Sequence, residues 1–518
     1  MRSSRGRLAA VFTAAVVAAA LVAPTALASR STRPTVMVDD DGSASRRGCN
    51  NSGPAETTIQ AGIDAAPDGA QILVCPGTYE EEVLVDSRTS LLIKAVKSFE
   101  ATILDPGDVK GSISPAIFTI AGSDDIYVSG FRIVHENDDK CSGREAGAWI
   151  LASRGVQFRG NRVLSDGPYS LSGCVLAIGI LVGIPDVYGV TTAGVTGTWP
   201  FPDYDDWATT ATIYANTVQD YAFAGIVAVS TALQYKGGGE ALGRTDALIQ
   251  SNSVRYMHTT EDATECDELL VESEVAGAKR LSRLAARLGR AIAPSGTPGG
   301  LGVCPAVGIY SGAGTTDSPI AGAAGQIKSN QVFSSWTTLG PSIAAAKGNI
   351  APIPLAGIVV FDQLHASGAV TLYGNRVTGH FLGIGGADAR GLAVKSNTVQ
   401  HGYVGIGIWD TDFASVLSNK AQYNYIGIVA TDEDPSEILS IENAPVGDPS
   451  PSPAYPTKNV TFKSNYANYN YMLSCLDDTS GSRTLGTANI WTSNKAEAAS
   501  SSPAGICGGA TPAPTATP

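Results

Sequence analysis

Histidine and methionine are scarce in this sequence, five and four of 518 residues, and no Cys-x-x-Cys pair or Cys/His cluster occurs. That absence argues against zinc sites and leaves no soft-ligand cluster to receive copper. Beyond the first segment, no apolar run reaches the ~18 residues of a transmembrane helix. An excess of positive charge is missing too: 35 Lys and Arg stand against 48 Asp and Glu, a formal net charge of −13. Such a balance argues against nucleic acid or an anionic membrane as the main partner. It fits cations or neutral glycans, and equally plain solubility.

What is present begins with a targeting signal. Arg2, Arg5 and Arg7 form a basic start, an apolar run follows from Leu8 to about Val22, and Ala26-Leu27-Ala28 is a small-residue cleavage site. A membrane anchor is the other reading, for which the run is short. Residues 1–28 are therefore expected to be a signal peptide of a secreted, extracellular protein. Its removal takes three arginines and no acid, which moves the net charge to −16.

Eight cysteines, an even number in an export context, are expected to form disulfides. Nearest-neighbour pairing joins Cys49 to Cys75, Cys141 to Cys174, Cys266 to Cys304 and Cys475 to Cys507. Each closed loop would stabilise by roughly 3–4 kcal/mol on the chain-entropy model.

A repeat organises the rest. Asn375, Asn397 and Asn419 are spaced by 22 residues, and so are Gly383, Gly405 and Gly427. Around each asparagine the pattern alternates as a strand does: Leu372, Val394 and Val416 stand three before it, and Val377, Val399 and Ala421 two after. A period of two inside a period of 22 does not come from stacked helices. It fits short strands that each turn a corner, one coil per repeat. The unit recurs at wider spacing around Asn161, Asn216, Asn252, Asn330 and Asn465, so loops are inserted between coils. Asn suits a sharp bend, and stacked amides bond along the axis as a ladder, so these residues read as structural. Phe223, Phe381, Tyr403 and Tyr425, two residues before repeat glycines, are expected to stack between coils and fill core.

Thr58-Ile-Gln-Ala-Gly-Ile-Asp-Ala-Ala-Pro67, with Pro76-Gly-Thr-Tyr79-Glu-Glu81 after it, resembles the opening of pectin-lyase-like β-helix proteins. The later coils resemble the parallel β-helix repeats of NosD-type proteins. The resemblance spans nearly all of residues 36–507. It implies an all-β, single-stranded right-handed parallel β-helix over 29–507, with an N-terminal capping helix that covers an exposed sheet edge. The superfamily holds pectate lyases, polygalacturonases, pectinesterases, alginate epimerases and non-catalytic members. Gly77-Thr-Tyr79-Glu-Glu81 matches the Gly-x-Tyr-x-Glu of pectinesterases, a motif that belongs largely to the fold. Their Leu-Gly-Arg-Pro-Trp is only shadowed by Leu242-Gly243-Arg244-Thr245, and the Asn-Thr-Asp and Asp-Asp motifs of polygalacturonases are absent. No catalytic residue carries over from a named family.

The residues point to one acidic column. Five positions beyond Gly357, Gly383, Gly405 and Gly427 stand Asp362, Asp388, Asp410 and Asp432, with Asp412, Glu433 and Asp434 close by. In register they stack about 4.8 Å apart, close enough to repel unless protonated or sharing a cation such as Ca²⁺. Asp362, Asp388 and Asp410 are the catalytic candidates, and Asp410, Asp412 and Asp432 the metal candidates. Two coils apart, carboxylates lie roughly 9–10 Å from each other, at the outer edge of the inverting-glycosidase range. The plainer alternative is that each Asp starts the turn after its strand. His380, His401 and Arg390 flank the column as ligand-binding candidates, although the two histidines are one residue out of step on the glycine alignment.

Three insertions are expected. Residues 181–210 carry Trp199, Tyr204 and Trp207 beside acids, which suits stacking on sugar rings or packing on the coil. Residues 258–303 read as an acidic start and an amphipathic helix with a basic face, which docks on the solenoid or meets a partner. Residues 434–458 are Pro/Ser-rich, and 508–518 read as a disordered tail. Two functions follow: a secreted lyase or hydrolase of acidic polysaccharide, or a non-catalytic binding solenoid. A copper role by likeness to NosD is a distant third.

Overall fold

The computed structural model describes residues 33–44, 49, 53–106, 116–136, 146–166, 178–183, 208–221, 224–234, 240–256, 303–313, 324–334, 353–363, 370–432, 456–496 and 501–508. They form three long sheets, two of thirteen strands and one of ten, in which coil neighbours pair in parallel. One coil shows the path. Thr371–Tyr373 lies in the first sheet, Arg376–Thr378 in the second and Leu382–Ala389 in the third. The chain then turns back, and Ala393–Lys395 pairs with Thr371–Tyr373 at a 22-residue offset. This is a right-handed parallel β-helix, the hand that parallel crossovers take. Elsewhere the inserted loops stretch the offset, to 55 residues between Val163 and Val218 and 36 between Val218 and Val254.

Alternation fills the coil. Each first-sheet strand sends one apolar residue inward, as with Ile93, Val128, Phe158, Ile213 and Ile249, all at 1 % exposure or less. At about 1.5–3 kcal/mol for each fully buried aliphatic side chain, this column is the main cohesive term. The third sheet comes so near the second that its repeat positions need glycine. A Cβ on Gly383 would sit 2.0 Å from Val399 Cγ1 and 2.6 Å from the Gly405 carbonyl.

The corner from first to second sheet is the asparagine ladder. Nine asparagines, from Asn161 to Asn494, each accept through Oδ1 the backbone N–H one coil earlier, at 2.9–3.0 Å. Their amides donate to backbone carbonyls and, in most rungs, to the next asparagine. The left-handed residue of the bend is the one before the asparagine: Ser251, Ser329, Ser396, Ser418 and Ser464 at φ 55–56, with glycine at 160 and 374. The expectation that Asn itself occupies that conformation is thus corrected. A non-glycine residue there costs of order 1–3 kcal/mol, which the bonds of one asparagine, about 0.5–1.5 kcal/mol each, can offset.

A seven-residue helix, Ile59–Ala65, lies where one was expected and buries Ile59, Gly62 and Ile63. Thr58 Oγ1 accepts from Ala61 N, while Glu81, just past strand Gly77–Glu80, accepts from Ile59 N at 2.6 Å and Gln60 N at 2.8 Å. Burial raises the Glu81 pKa, and these two bonds lower it. Tyr79 donates its hydroxyl to the Cys75 carbonyl. The Gly-x-Tyr-x-Glu pattern therefore has structural duties here; that the helix closes the first coil stands as a proposal. Disulfides join Cys49 to Cys75 and Cys475 to Cys507, with Cα atoms 5.5 and 6.1 Å apart. The other two expected pairs lie outside the described residues. No helix among the described residues is long and apolar enough to cross a membrane.

Candidate functional site

The four repeat aspartates fall where third-sheet strands turn back to the first sheet. Phe361 pairs with Ala387 and Gln363 with Ala389, which sets position 362 opposite 388. Ala387 pairs with Trp409 and Trp409 with Thr431, so Asp410 and Asp432 continue the column one residue on. Backbone register thus brings all four to one level on successive rungs about 4.8 Å apart. The side chains of Asp362 and Asp388 lie outside the described residues.

The other acids show what holds them. Asp410 takes a left-handed φ of 45 directly after strand Val404–Trp409, a conformation that Asp tolerates better than most residues. Asp432 accepts the backbone N–H of Thr457 from the following coil. Burial raises the Asp432 pKa most; Asp477 adds to that, and the Thr457 bonds and Lys458 oppose it. Asp412 accepts from Asn459 Nδ2 at 3.1 Å and lies in bridge register between Arg390 and Lys458. Arg390 also lies 5.3 Å from the Phe413 ring centre.

The two histidines part company. His380 is fully buried, and neither ring nitrogen meets a hydrogen-bond partner. Burial pushes its pKa down to about 3, against an opposing contribution from the Thr378 backbone. Its equivalents one and two coils on are Gly402 and Asn424, where a second, shorter ladder starts: Gly402 N to Asn424 Oδ1, then Asn424 N to Asn470 Oδ1. His401 instead opens a partly exposed ring stack with Tyr423 and Tyr469, at 5.5 and 5.2 Å. Beside it Phe381, Tyr403, Tyr425 and Tyr471 stack coil on coil, as expected for the first three. Phe223, Trp199, Tyr204 and Trp207 lie outside the described residues.

Sequence reasoning missed three features. Hydroxyls form a ladder next to the acids: Ser123, Ser153, Thr411 and Thr457 each donate to the carbonyl two residues or one coil before. Ser/Thr interchange hid it. The outer face of the third sheet is apolar and buried, with Trp149, Leu181, Val227, Val359, Trp409 and Val429 in one cluster. Its sign in the sequence was the unbroken apolar run of these strands, the mark of a sheet covered on both faces. Finally, His135 Nδ1 and Asp105 Oδ2 meet at 2.6 Å in a buried pair. They are 30 residues apart, one enlarged coil, too far for a 22-residue count to align. Asp39 lies near Cys49 and Cys75, but the disulfide leaves no thiolate for a metal.

No family model and no curated protein matches this sequence. Among solved structures it is similar to the Dettilon tailspike protein, at 11% identity and a TM-score of 0.41 over 85% of this chain and 63% of that one. It is similar to the A-module of Azotobacter vinelandii mannuronan C-5 epimerase AlgE4, at 10% identity and 0.38 over 90% and 99%. For pectate lyase Pel9A the values are 11% and 0.36, over 76% and 80%. The chain thus spans less than two thirds of the tailspike's length. The β-helix itself rests on the chain's own sheets and registers.

Proposed function

We propose that this is an exported protein that binds an extended polysaccharide along its coils. The observation that carries the reading is the unbroken register of the first two sheets. Over eleven rungs their outward side chains are largely polar and repeat in straight columns parallel to the axis. A linear polymer laid along such columns meets similar chemistry at every step, and the rod is ordered before binding, which lowers the entropic cost. Two disulfides and the basic–apolar start of the chain support export. The test is retention of the full protein on immobilised polysaccharides of differing charge. Retention on none of them overturns the reading.

A second reading, lyase or hydrolase action at the acidic corner, is favoured by one observation: positions 362, 388, 410 and 432 share one level. Asp388 and Asp410 would then supply acid and base, with Asp362 as the other candidate. The oxygen donors of Asp410, Asp412 and Asp432 suit a hard cation such as Ca²⁺. Against that fit, Asp412 already stands between Arg390 and Lys458, and Asp432 holds the Thr457 N–H. Incubation with polygalacturonate or alginate, with and without Ca²⁺, decides it. New reducing ends or unsaturated product, lost in the Asp388→Asn/Asp410→Asn protein, support catalysis; binding without either product removes it.

A further inference from the structure

We infer that the flanks of the asparagine corner form a docking surface for a carboxylate-bearing glycan chain running parallel to the coil axis. This rests on the polysaccharide-binding reading and names the ligand class and the place.

Two outward columns border the ladder, the residue two before each of the nine asparagines in the first sheet and the residue after it in the second, and strand register continues both over the two coils before Asn161. In the first column five of eleven successive rungs are basic: Lys94, Arg159, Lys328, Lys395 and Lys463. In the second, five of eleven are basic again: Arg132, Arg162, Arg376, Lys420 and Lys495. Among the described residues neither column contains an Asp or Glu, nor do the next outward columns on either side, in a chain where acids outnumber bases 48 to 35; Glu497, two residues past Lys495, lies outside the described residues. Chance placement would put several acids there. Among the described residues the nearest carboxylate by sequence, Glu100 in the wider first corner, is engaged by Lys97.

These charges are presented to solvent. Seven of the ten residues are exposed and Arg132, Lys328 and Lys395 are half-buried. Arg132 apart, none is ion-paired to a described residue. Aromatic rings steady several of them: Arg159 lies 5.8 and 5.3 Å from the Tyr127 and Tyr214 ring centres, and Arg162 lies 4.1 Å from that of Phe99. Between the charges stand hydroxyl and amide groups, including Tyr373, Thr398 and Gln331, that suit sugar hydroxyls.

Charge spacing selects the ligand. Ten charges over eleven rungs give close to one per about 4.8 Å of axis. A polyuronate carries one carboxylate per sugar, a comparable density. Duplex nucleic acid carries one charge per about 1.7 Å and a single strand about one per 3.4 Å, both denser than the stripe, which would leave the duplex mostly unbalanced. The stripe therefore fits a sparsely charged glycan better than a nucleic acid.

The test uses the full protein, polygalacturonate, its fully methyl-esterified form and a single-stranded oligonucleotide. The Lys395→Glu/Lys420→Glu/Lys463→Glu protein is compared with Arg154→Glu/Arg483→Glu, which reverses exposed charges off the stripe, with thermal melts confirming that both fold. Expected are polygalacturonate binding that weakens with salt, a loss of about thirtyfold in the stripe variant, and little change in the control. A stripe variant that binds polygalacturonate like wild type overturns the inference, and so does wild type that prefers the esterified chain or the oligonucleotide. In the first two cases glycan binding itself survives; wild type that binds no glycan at all sinks both.

Discussion

Two corners of the same coil use small polar residues to opposite ends. At the asparagine corner every rung repeats one side chain, and that side chain is spent on the backbone of the coil before it. At the acidic corner the acids also lie where a strand ends, but their described bonds differ: Asp432 holds a backbone N–H, while Asp412, two residues past the repeated Asp410, holds Asn459 in backbone register with Arg390 and Lys458. A buried amide must be satisfied identically in each rung because an orphaned partner costs about 1–3 kcal/mol. A half-exposed carboxylate has water as an alternative, so its neighbours are free to vary. Uniform bonding marks the corner that holds the fold, and variable bonding the corner that can be altered.

Matched substitutions sharpen this contrast. Asn397→Leu orphans the Asn375 N–H, bonded at 2.9 Å, and takes from the Leu372 carbonyl its second donor, bonded at 3.0 Å. It should lower unfolding stability by about 3–4 kcal/mol in denaturant titrations. Next comes Gly383→Ala, which forces its new methyl into Val399 and the Gly405 carbonyl. Overpacking of this kind costs about 1–3 kcal/mol, and Val399→Ala in the same chain should restore part of it.

A third corner, between the second and third sheets, adds a pH term. His380 has a folded pKa of about 3 against 6.5 when unfolded, so between those values the unfolded chain binds the extra proton. Its contribution to stability is therefore lost as pH falls below 6.5, by about 1.4 kcal/mol per unit until the lower value. At pH 5 the loss is about 2 kcal/mol. His380→Asn, the residue found at equivalent positions 424 and 470, should flatten that slope relative to wild type; an unchanged difference between pH 7 and pH 5 would refute the assignment. The smallest effect belongs to the acidic corner. Asp410→Asn should change stability by less than about 1 kcal/mol, and a loss as large as that of Asn397→Leu would erase the distinction between the corners.

The coil was legible because two independent markers, Asn and Gly, kept a 22-residue period, and the strands alternated around them. The ladder's ninth member, Asn494, was missed in the sequence and shows only in its bond from Asn465 N. The basic stripe was invisible for another reason: loops of unequal length separate its members, so Arg159 and Lys328 share a column without sharing a spacing. At the acidic corner the shared level of positions 362, 388, 410 and 432 was legible, since register follows from counting within a coil. The bonds of Asp412 and Asp432 come from Asn459 and Thr457, beyond a 24-residue stretch after Asp432 that counting does not cross.

The two described disulfides lie toward opposite ends of the rod. One follows the second strand of the first sheet, and the other ties the third-sheet strand Leu473–Asp477 to the turn after that sheet's last strand, Ser501–Ser502. In a stack where each coil touches only its neighbours, melting starts at a terminus, because an end coil loses one interface where an inner coil would lose two. A terminal coil set loose would also offer its unpaired edge to another chain. Cross-links placed at both extremities therefore act on the only sites from which unzipping can begin, and they make the long middle as durable as its ends.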